Sequence, residues 1–321
     1  RLNEDVNEEW ISDKTRYAID GLRCQRLDRP YARGRDGKLH PISWDEALKT
    51  VAGKLGKAKA KRVAAIAGDQ CDAESMFALK SLMARIGSPN LDCRQDGAKI
   101  GGAQSGYLFN SRIAGIDDAD ALLIIGSNPR VEAAVLNARI RRNWLTTQMP
   151  VGVIGENADL TYATKWLGDE ACLLDNVLSG NNKFAAKLKK AKRPMIIIGM
   201  GALARADGAS VLGKARQIAE TYGIVTEKWN GFNILQNYSG RVGALDLGFY
   251  NPKNLKRKYL NDIYNGKYNV LYLFGADELE FEKIPDQTFV IYQGHHGDRA
   301  VNRADLIIPT PCFTEKEGIY V

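Results

Sequence analysis

Short apolar runs, most of them closed by glycine, recur along this chain and alternate with amphipathic segments. The runs are Val63–Gly68, Ala121–Gly126, Val151–Gly155, Pro194–Gly199, Val270–Phe274, Phe289–Tyr292 and Leu306–Ile308. Between them, Met76/Leu79/Met83/Ile86, Ala133/Leu136/Ile140/Trp144 and Leu212/Ala215/Ile218/Ala219/Tyr222 fall on helical stripes. Strands with no polar alternation are covered on both faces, which is the habit of parallel sheets with helical crossovers. The pattern predicts an α/β, doubly wound fold with right-handed connections and ligands beyond the carboxyl ends of the strands. Ser43-Trp44-Asp45-Glu46 is a capping box and predicts a helix start ahead of the first strand.

With 321 residues, 45% hydrophobic and 26% charged, the chain has room for two domains and a real core. That balance excludes a disordered chain, a collagen and a small disulfide scaffold. No apolar run approaches the ~20 residues of a membrane-spanning helix, so no direct membrane insertion is expected. The formal net charge is +7. Its clusters, Arg139/Arg141/Arg142, Lys187/Lys189/Lys190/Lys192 and Lys253/Lys256/Arg257/Lys258, sit on separate segments, so they read as solvated faces and not as a nucleic-acid stripe. A basic face docking on an acidic partner is the other reading. Cys24, Cys71, Cys93, Cys172 and Cys312 contain no C-x-x-C pair, against a local zinc or iron–sulfur motif, and suggest a reducing compartment. The chain opens on Arg1 and stops on the strand-like Ile319-Tyr320-Val321, which reads as an excised piece of a longer protein.

Two stretches echo one another. Leu123-Ile124-Ile125-Gly126-Ser127-Asn128 leads to Val151–Gly155, and Leu271–Phe274-Gly275-Ala276-Asp277 leads to Phe289–Gly294, which suggests two related lobes. Gly126-Ser127-Asn128-Pro129 suits a phosphate or a tight βα turn with an asparagine cap. Gly199-Met200-Gly201-Ala202-Leu203-Ala204 imitates a dinucleotide fingerprint, but Ile224–Glu227 supplies only Glu227 and no clear strand before it. His295 and His296, adjacent on an extended segment, are expected to point apart and to serve a loop. No Ser/His/Asp order, carboxylate pair or P-loop is present.

Taken together, Pro41–Leu48, Ala119–Pro129, and Ala304–Pro309 with Glu315-Lys316-Glu317-Gly318 resemble the molybdopterin oxidoreductase family. Asn7–Arg16 and Ile291–Asp298 resemble one branch of it, the large iron–sulfur subunit of NADH–quinone oxidoreductase, respiratory complex I. The resemblance runs nearly end to end. It implies two nested α/β lobes: residues 41–96 with 268–321 as the first, 97–267 as an inserted second, and 1–40 as a linker from an iron–sulfur part. The [2Fe–2S] and [4Fe–4S] clusters belong to that amino-terminal part in the family, and none is expected here.

The family comparison also implies losses. Ser12 stands where some members carry a cluster cysteine. Arg94–Lys99 holds no thiolate where catalytic members bind their metal, and only Asp96 remains as a ligand. Gly155 and Gly294 stand where the family reads guanine with aspartates, leaving Gly126, Ser127, Asn128, Gly155, Gly275 and Gly294 as vestigial corners of nucleotide sites. The expectation is a non-catalytic scaffold in the peripheral arm. It would contact other arm subunits and lie on the bacterial cytoplasmic or mitochondrial matrix side of the inner membrane. The whole complex would carry electrons from NADH through FMN and iron–sulfur clusters to quinone, coupled to proton translocation. The alternatives are an active molybdenum or tungsten pterin enzyme using Asp96, and a nucleotide-binding module.

Overall fold

A computed structural model describes residues 2–250 and 258–321. The basic residues Lys253, Lys256 and Arg257 lie outside the described residues. Twelve strands are present among the described residues: β1 Tyr31–Arg33, β2 Leu39–Pro41, β3 Val63–Ala67, β4 Leu91–Asp92, β5 Ala121–Ile125, β6 Val151–Ile154, β7 Lys165–Gly168, β8 Pro194–Gly199, β9 Phe232–Leu235, β10 Val270–Phe274, β11 Phe289–Gly294 and β12 Leu306–Pro309. They form one sheet of seven, ordered β2-β1-β12-β11-β10-β3-β4, and one of five, ordered β7-β6-β5-β8-β9. The chain divides into two compact units, one of residues 1–17 and 98–237, the other of 18–97 and 238–321.

In the five-stranded unit every neighbouring pair is parallel. Chain order reverses between β5 and β8, so the topological switch point lies beyond Ile125 and Gly199. β5 is buried along its whole length. Leu122 and Ile124 pack with Leu136 and Ile140 of the helix Ala134–Thr147. Leu123 and Ile125 point the other way and are buried too, which is why the run shows no polar alternation. The helix Gly208–Thr221 buries Val211, Leu212, Ala215, Ile218 and Ala219, the stripe read from sequence.

In the seven-stranded unit β4, β3, β10, β11 and β12 are parallel, while β1 and β2 add antiparallel at one edge. The switch point here lies between β3 and β10. Residues 18–40, read as linker, carry the whole of β1 and most of β2. Residues 238–250 and 258–267, read as part of the inserted lobe, group with this unit. These two strands are three residues long and lack a distinctive apolar pattern, so periodicity cannot show them. β9 is hidden for a related reason: Phe232-Asn233-Ile234-Leu235 contains a buried asparagine. The capping box is formed in full, with Ser43 Oγ accepting from Glu46 N and the Glu46 carboxylate accepting from Ser43 N.

The Arg139/Arg141/Arg142 cluster is a solvated face only in part: Arg141 and Arg142 are exposed, but Arg139 is not. Arg139 is buried; it pairs with Asp117 and Glu8 and donates to the carbonyls of Asp5 and Glu4. Arg142 joins the same Glu8 and Asp117. One turn on, the buried Asn143 amide donates to the carbonyls of Ile116 and Ala119 at 2.6 and 2.9 Å. Asn143→Leu should therefore cost about 2–4 kcal/mol by stranding two buried carbonyls. Denaturant unfolding checks this, and a loss below about 0.5 kcal/mol, the range of an ordinary surface change, would contradict it.

Candidate functional site

The two switch points are where a ligand would sit, and each unit shows what its own sequence puts there. In the five-stranded unit, β5 is followed directly by Gly126, whose φ is +58°. A side chain at that position would meet the Cβ of Ala202, so the corner demands glycine for conformation and for space. Around it lies a pocket of about 250 Å³ lined by Gly126, Ser127, Asn128, Gly155, Glu156 and Asp169 among others.

The helix Pro129–Glu132 that follows is one turn long. Its start is occupied by its own Glu132: Asn128 N donates to Oε1 at 2.7 Å and Ser127 Oγ donates to Oε2 at 3.1 Å. The asparagine side chain makes no cap and instead donates to Glu156 at 3.3 Å. The donors that would greet a phosphate are thus spent on an internal carboxylate. Gly155 has φ +139°, and a Cβ at that position would lie 3.2 Å from the Gly126 Cα. Gly199-Met200-Gly201 runs from β8 straight into the helix Met200–Ala204, and no strand follows at Ile224–Glu227.

In the seven-stranded unit the matching corner is Gly275, with φ +57°. Beyond β3 and β10 the site is filled by a buried ionic cluster that has no signature in the sequence. Arg241, with no side-chain exposure, lies between two aspartates: Nη1 is 3.1 Å from Asp96 and Nη2 is 3.3 Å from Asp69. The Tyr238 ring stacks on the guanidinium at 4.2 Å. Gln95 donates to Asp69 at 2.7 Å and accepts from Glu278 N at 3.2 Å. Burial pushes the Asp69 carboxyl up to about 6, with Asp96 adding to the rise, although Arg241 and Gln95 pull the other way.

The other ligand candidates are equally committed. Cys93 is buried and pushed up to about 12 by desolvation; Cys71 is pushed well above its ordinary value and donates to the Phe274 carbonyl at 3.1 Å. Neither offers a thiolate at neutral pH. A side chain at Gly294 would collide with the phenol of the buried Tyr292, so the space a carboxylate would need is filled. Ser12 caps the short helix Asp13–Tyr17, accepting from Thr15 N at 3.2 Å, and Lys14 donates to the Val131 carbonyl at 3.3 Å.

The histidines do not point apart. His295 and His296 bring their Nδ1 atoms to 2.5 Å with the rings edge-on at 89°. Strand alternation stops at Gly294, where β11 ends, and the chain turns. His296 Nε2 lies 2.8 Å from the Gly21 carbonyl, which requires it to donate there and leaves its Nδ1 to accept from His295. Burial, and then the neighbouring His296, push the His295 imidazole below its ordinary value. Among the described residues, no three His, Cys, Asp or Glu side chains converge as a metal site, and no helix is long and apolar enough to cross a membrane.

Two outcomes follow from this geometry. Arg241→Met should destabilise by about 3–5 kcal/mol, since it leaves buried carboxylates unpaired. Adding Asp69→Asn and Asp96→Asn should recover much of that loss, and full additivity of the three in denaturant unfolding would contradict the coupling. Beyond Gly275, burial and then Asp298 push Asp277 up to about 6 from an ordinary 3.8. The folded state holds that proton after the unfolded chain has released it, so this group's contribution is present below about pH 4 and lost as pH rises through about 6. Asp277→Asn should match the wild type in thermal unfolding near pH 4 and exceed it at pH 7; equal melting temperatures at pH 7 would contradict this.

Comparison with known proteins gives this geometry its relatives. The Molybdopterin oxidoreductase family model matches residues 26–321. The model described as NADH-ubiquinone oxidoreductase NDSU1/NuoG-like, 4Fe-4S domain matches residues 1–20, a segment without cysteine. The whole chain is 44% identical to the mitochondrial NADH dehydrogenase (ubiquinone) iron-sulfur protein 1 of Solanum tuberosum, covering 42% of that protein. It is also 44% identical to an NADH-quinone oxidoreductase subunit of Rickettsia conorii, covering 46% of it. The chain thus spans a little under half the length of these relatives. Among solved structures, acetylene hydratase from Pelobacter acetylenicus matches with a TM-score of 0.61 at 14% identity, over 94% of this chain and 58% of that one. The formyltransferase/hydrolase complex from Methylorubrum extorquens matches with a TM-score of 0.57 at 14% identity, over 91% and 92%. At that identity the likeness is one of fold.

Proposed function

We propose that this chain, which belongs to the molybdopterin oxidoreductase family, is a non-catalytic scaffold within NADH–quinone oxidoreductase. The relatives that match it over its whole length are subunits of that enzyme. In this reading the parent complex carries electrons from NADH through flavin and iron–sulfur clusters to quinone, coupled to proton translocation. The chain contributes shape and contacts within the arm that lies outside the membrane, on the cytoplasmic or matrix side. The partners are other subunits of that arm. The clusters are held by segments that precede this one in the longer relatives.

One observation carries the non-catalytic half: Arg241 lies fully buried against Asp96. Asp96 is the residue that would have to serve as a metal ligand, and it is engaged by a permanent cation. A second metal charge there would meet the guanidinium at close range, so the residues do not fit a molybdenum or tungsten centre. Glu132 on Ser127 and Asn128, and Tyr292 against Gly294, argue the same for the nucleotide arms of a pterin cofactor. The pocket at Gly126, about 250 Å³, is below the usual size of a small-molecule site, which weighs against the nucleotide-binding reading. The domain organisation we favour is one α/β lobe inserted in another, with Gly126, Gly155, Gly275 and Gly294 retained for packing.

The test is turnover per assembled complex. Glu156→Ala and Asp169→Ala alter the lining of the Gly126 pocket without touching its glycine corner. NADH–quinone turnover normalised to assembled enzyme should be unchanged by either. A large loss with normal assembly would mean that this pocket does chemistry.

A further inference from the structure

β7 is an edge strand: it pairs with β6, and among the described residues no strand lies on its other side. The opposite edge of the same sheet is treated differently, because the β9 residue Ile234 donates to the Leu108 carbonyl and Asn233 forms a bridge with Phe109. A groove of about 370 Å³ opens at the start of β7, between the end of the helix Ala134–Thr147 and the start of the helix Ala185–Lys190. Its lining includes Trp144, Met149, Pro150 and Phe184, and its rim carries Lys165, Lys183 and Lys187.

The lining of this groove contains three lysines and no carboxylate. None of the three forms an ion pair among the described residues, whereas Lys214, Lys267, Lys283 and Lys316 are each paired with an acidic neighbour. Lys165 alone would be ordinary protection of an edge strand. Lys183 and Lys187 come from a different element, and their convergence on the same apolar floor needs another reason. A flat membrane surface would not reach that floor, and a small anion would leave it unused.

We propose that the groove docks an extended, acidic segment of a partner protein. Its backbone would add along the open edge of β7, an apolar side chain would seat on Met149 and Phe184, and carboxylates would meet Lys165, Lys183 and Lys187. The proposal rests on the scaffold reading only for the assembly in which the partner is sought.

The experiment places p-benzoyl-phenylalanine at Ala163, an exposed residue of the groove, in the full-length subunit expressed in its own cells. Membranes are irradiated and the adduct peptide is sequenced. The expected result is one defined partner segment rich in Asp and Glu. The triple variant Lys165→Glu, Lys183→Glu, Lys187→Glu should lower its yield about tenfold, and the triple Arg variant should retain it. The three lysines are exposed, and unchanged co-purification with the enzyme verifies that the variants keep the fold. Adducts to lipid, to a second copy of this chain or to an uncharged or basic segment would overturn the proposal. So would the absence of any adduct, or a yield insensitive to charge reversal. Failure of the subunit to co-purify with NADH–quinone oxidoreductase would instead sink the scaffold reading, and the charge of the adduct would still decide the groove.

Discussion

A fully buried guanidinium must be answered by charge, and the answer at Arg241 organises the seven-stranded unit. Its two aspartates come from distant places in the chain: Asp69 just after β3 and Asp96 after β4. Gln95 extends the network to Glu278 beyond β10, and the Asp69 carbonyl accepts from Gly240 and Ser239 at the foot of the Arg241 helix. Three segments that would otherwise be loose loops at a switch point are tied to one cation. Such a cluster adds little net stability over a hydrophobic filling, but it cannot lose a member cheaply. It fixes geometry where the fold would otherwise present an open site.

The five-stranded unit reaches the same end with different chemistry. Glu132 reaches back to Asn128 N and Ser127 Oγ, so the acceptor that a ligand phosphate would supply is covalently part of the helix turn. The glycine corners survive in both units with nearly the same backbone angle, φ +58° at Gly126 and +57° at Gly275. The positive φ favours glycine at both corners, and at Gly126 the Ala202 methyl group also closes against it. At Gly126 the demand for glycine comes from packing and from a positive φ, and it holds whether or not a ligand is present.

The apolar runs make most of the architecture legible. β3, β5, β6, β8 and β10 lie where their buried residues predict, because a strand covered on both faces has no other pattern to show. What stays hidden is short or polar. β1 and β2 carry no pattern, β9 hides Asn233, and β4 is two residues long. The site is less legible than the fold. Asp96 is singled out only through the family resemblance, and its partner Arg241 lies 145 residues away at the start of a six-residue helix. Glu132 looks like an ordinary first-turn acid, and Arg139 like part of a solvated cluster until its contacts with Glu8 and Asp117 are seen. Long-range ion pairing leaves no periodic trace in a sequence. The histidine pair shows the limit of a local rule, since alternation applies only as far as Gly294.

Whether Asp96 answers to Arg241 or to a metal decides between a scaffold and an enzyme. Elemental analysis of the purified parent enzyme, with iron as the internal standard and oxidised-pterin fluorescence measured on the same sample, addresses that directly. A scaffold should give iron at cluster stoichiometry, with molybdenum, tungsten and pterin all at background. Molybdenum or tungsten at one equivalent per subunit, accompanied by pterin, would contradict it.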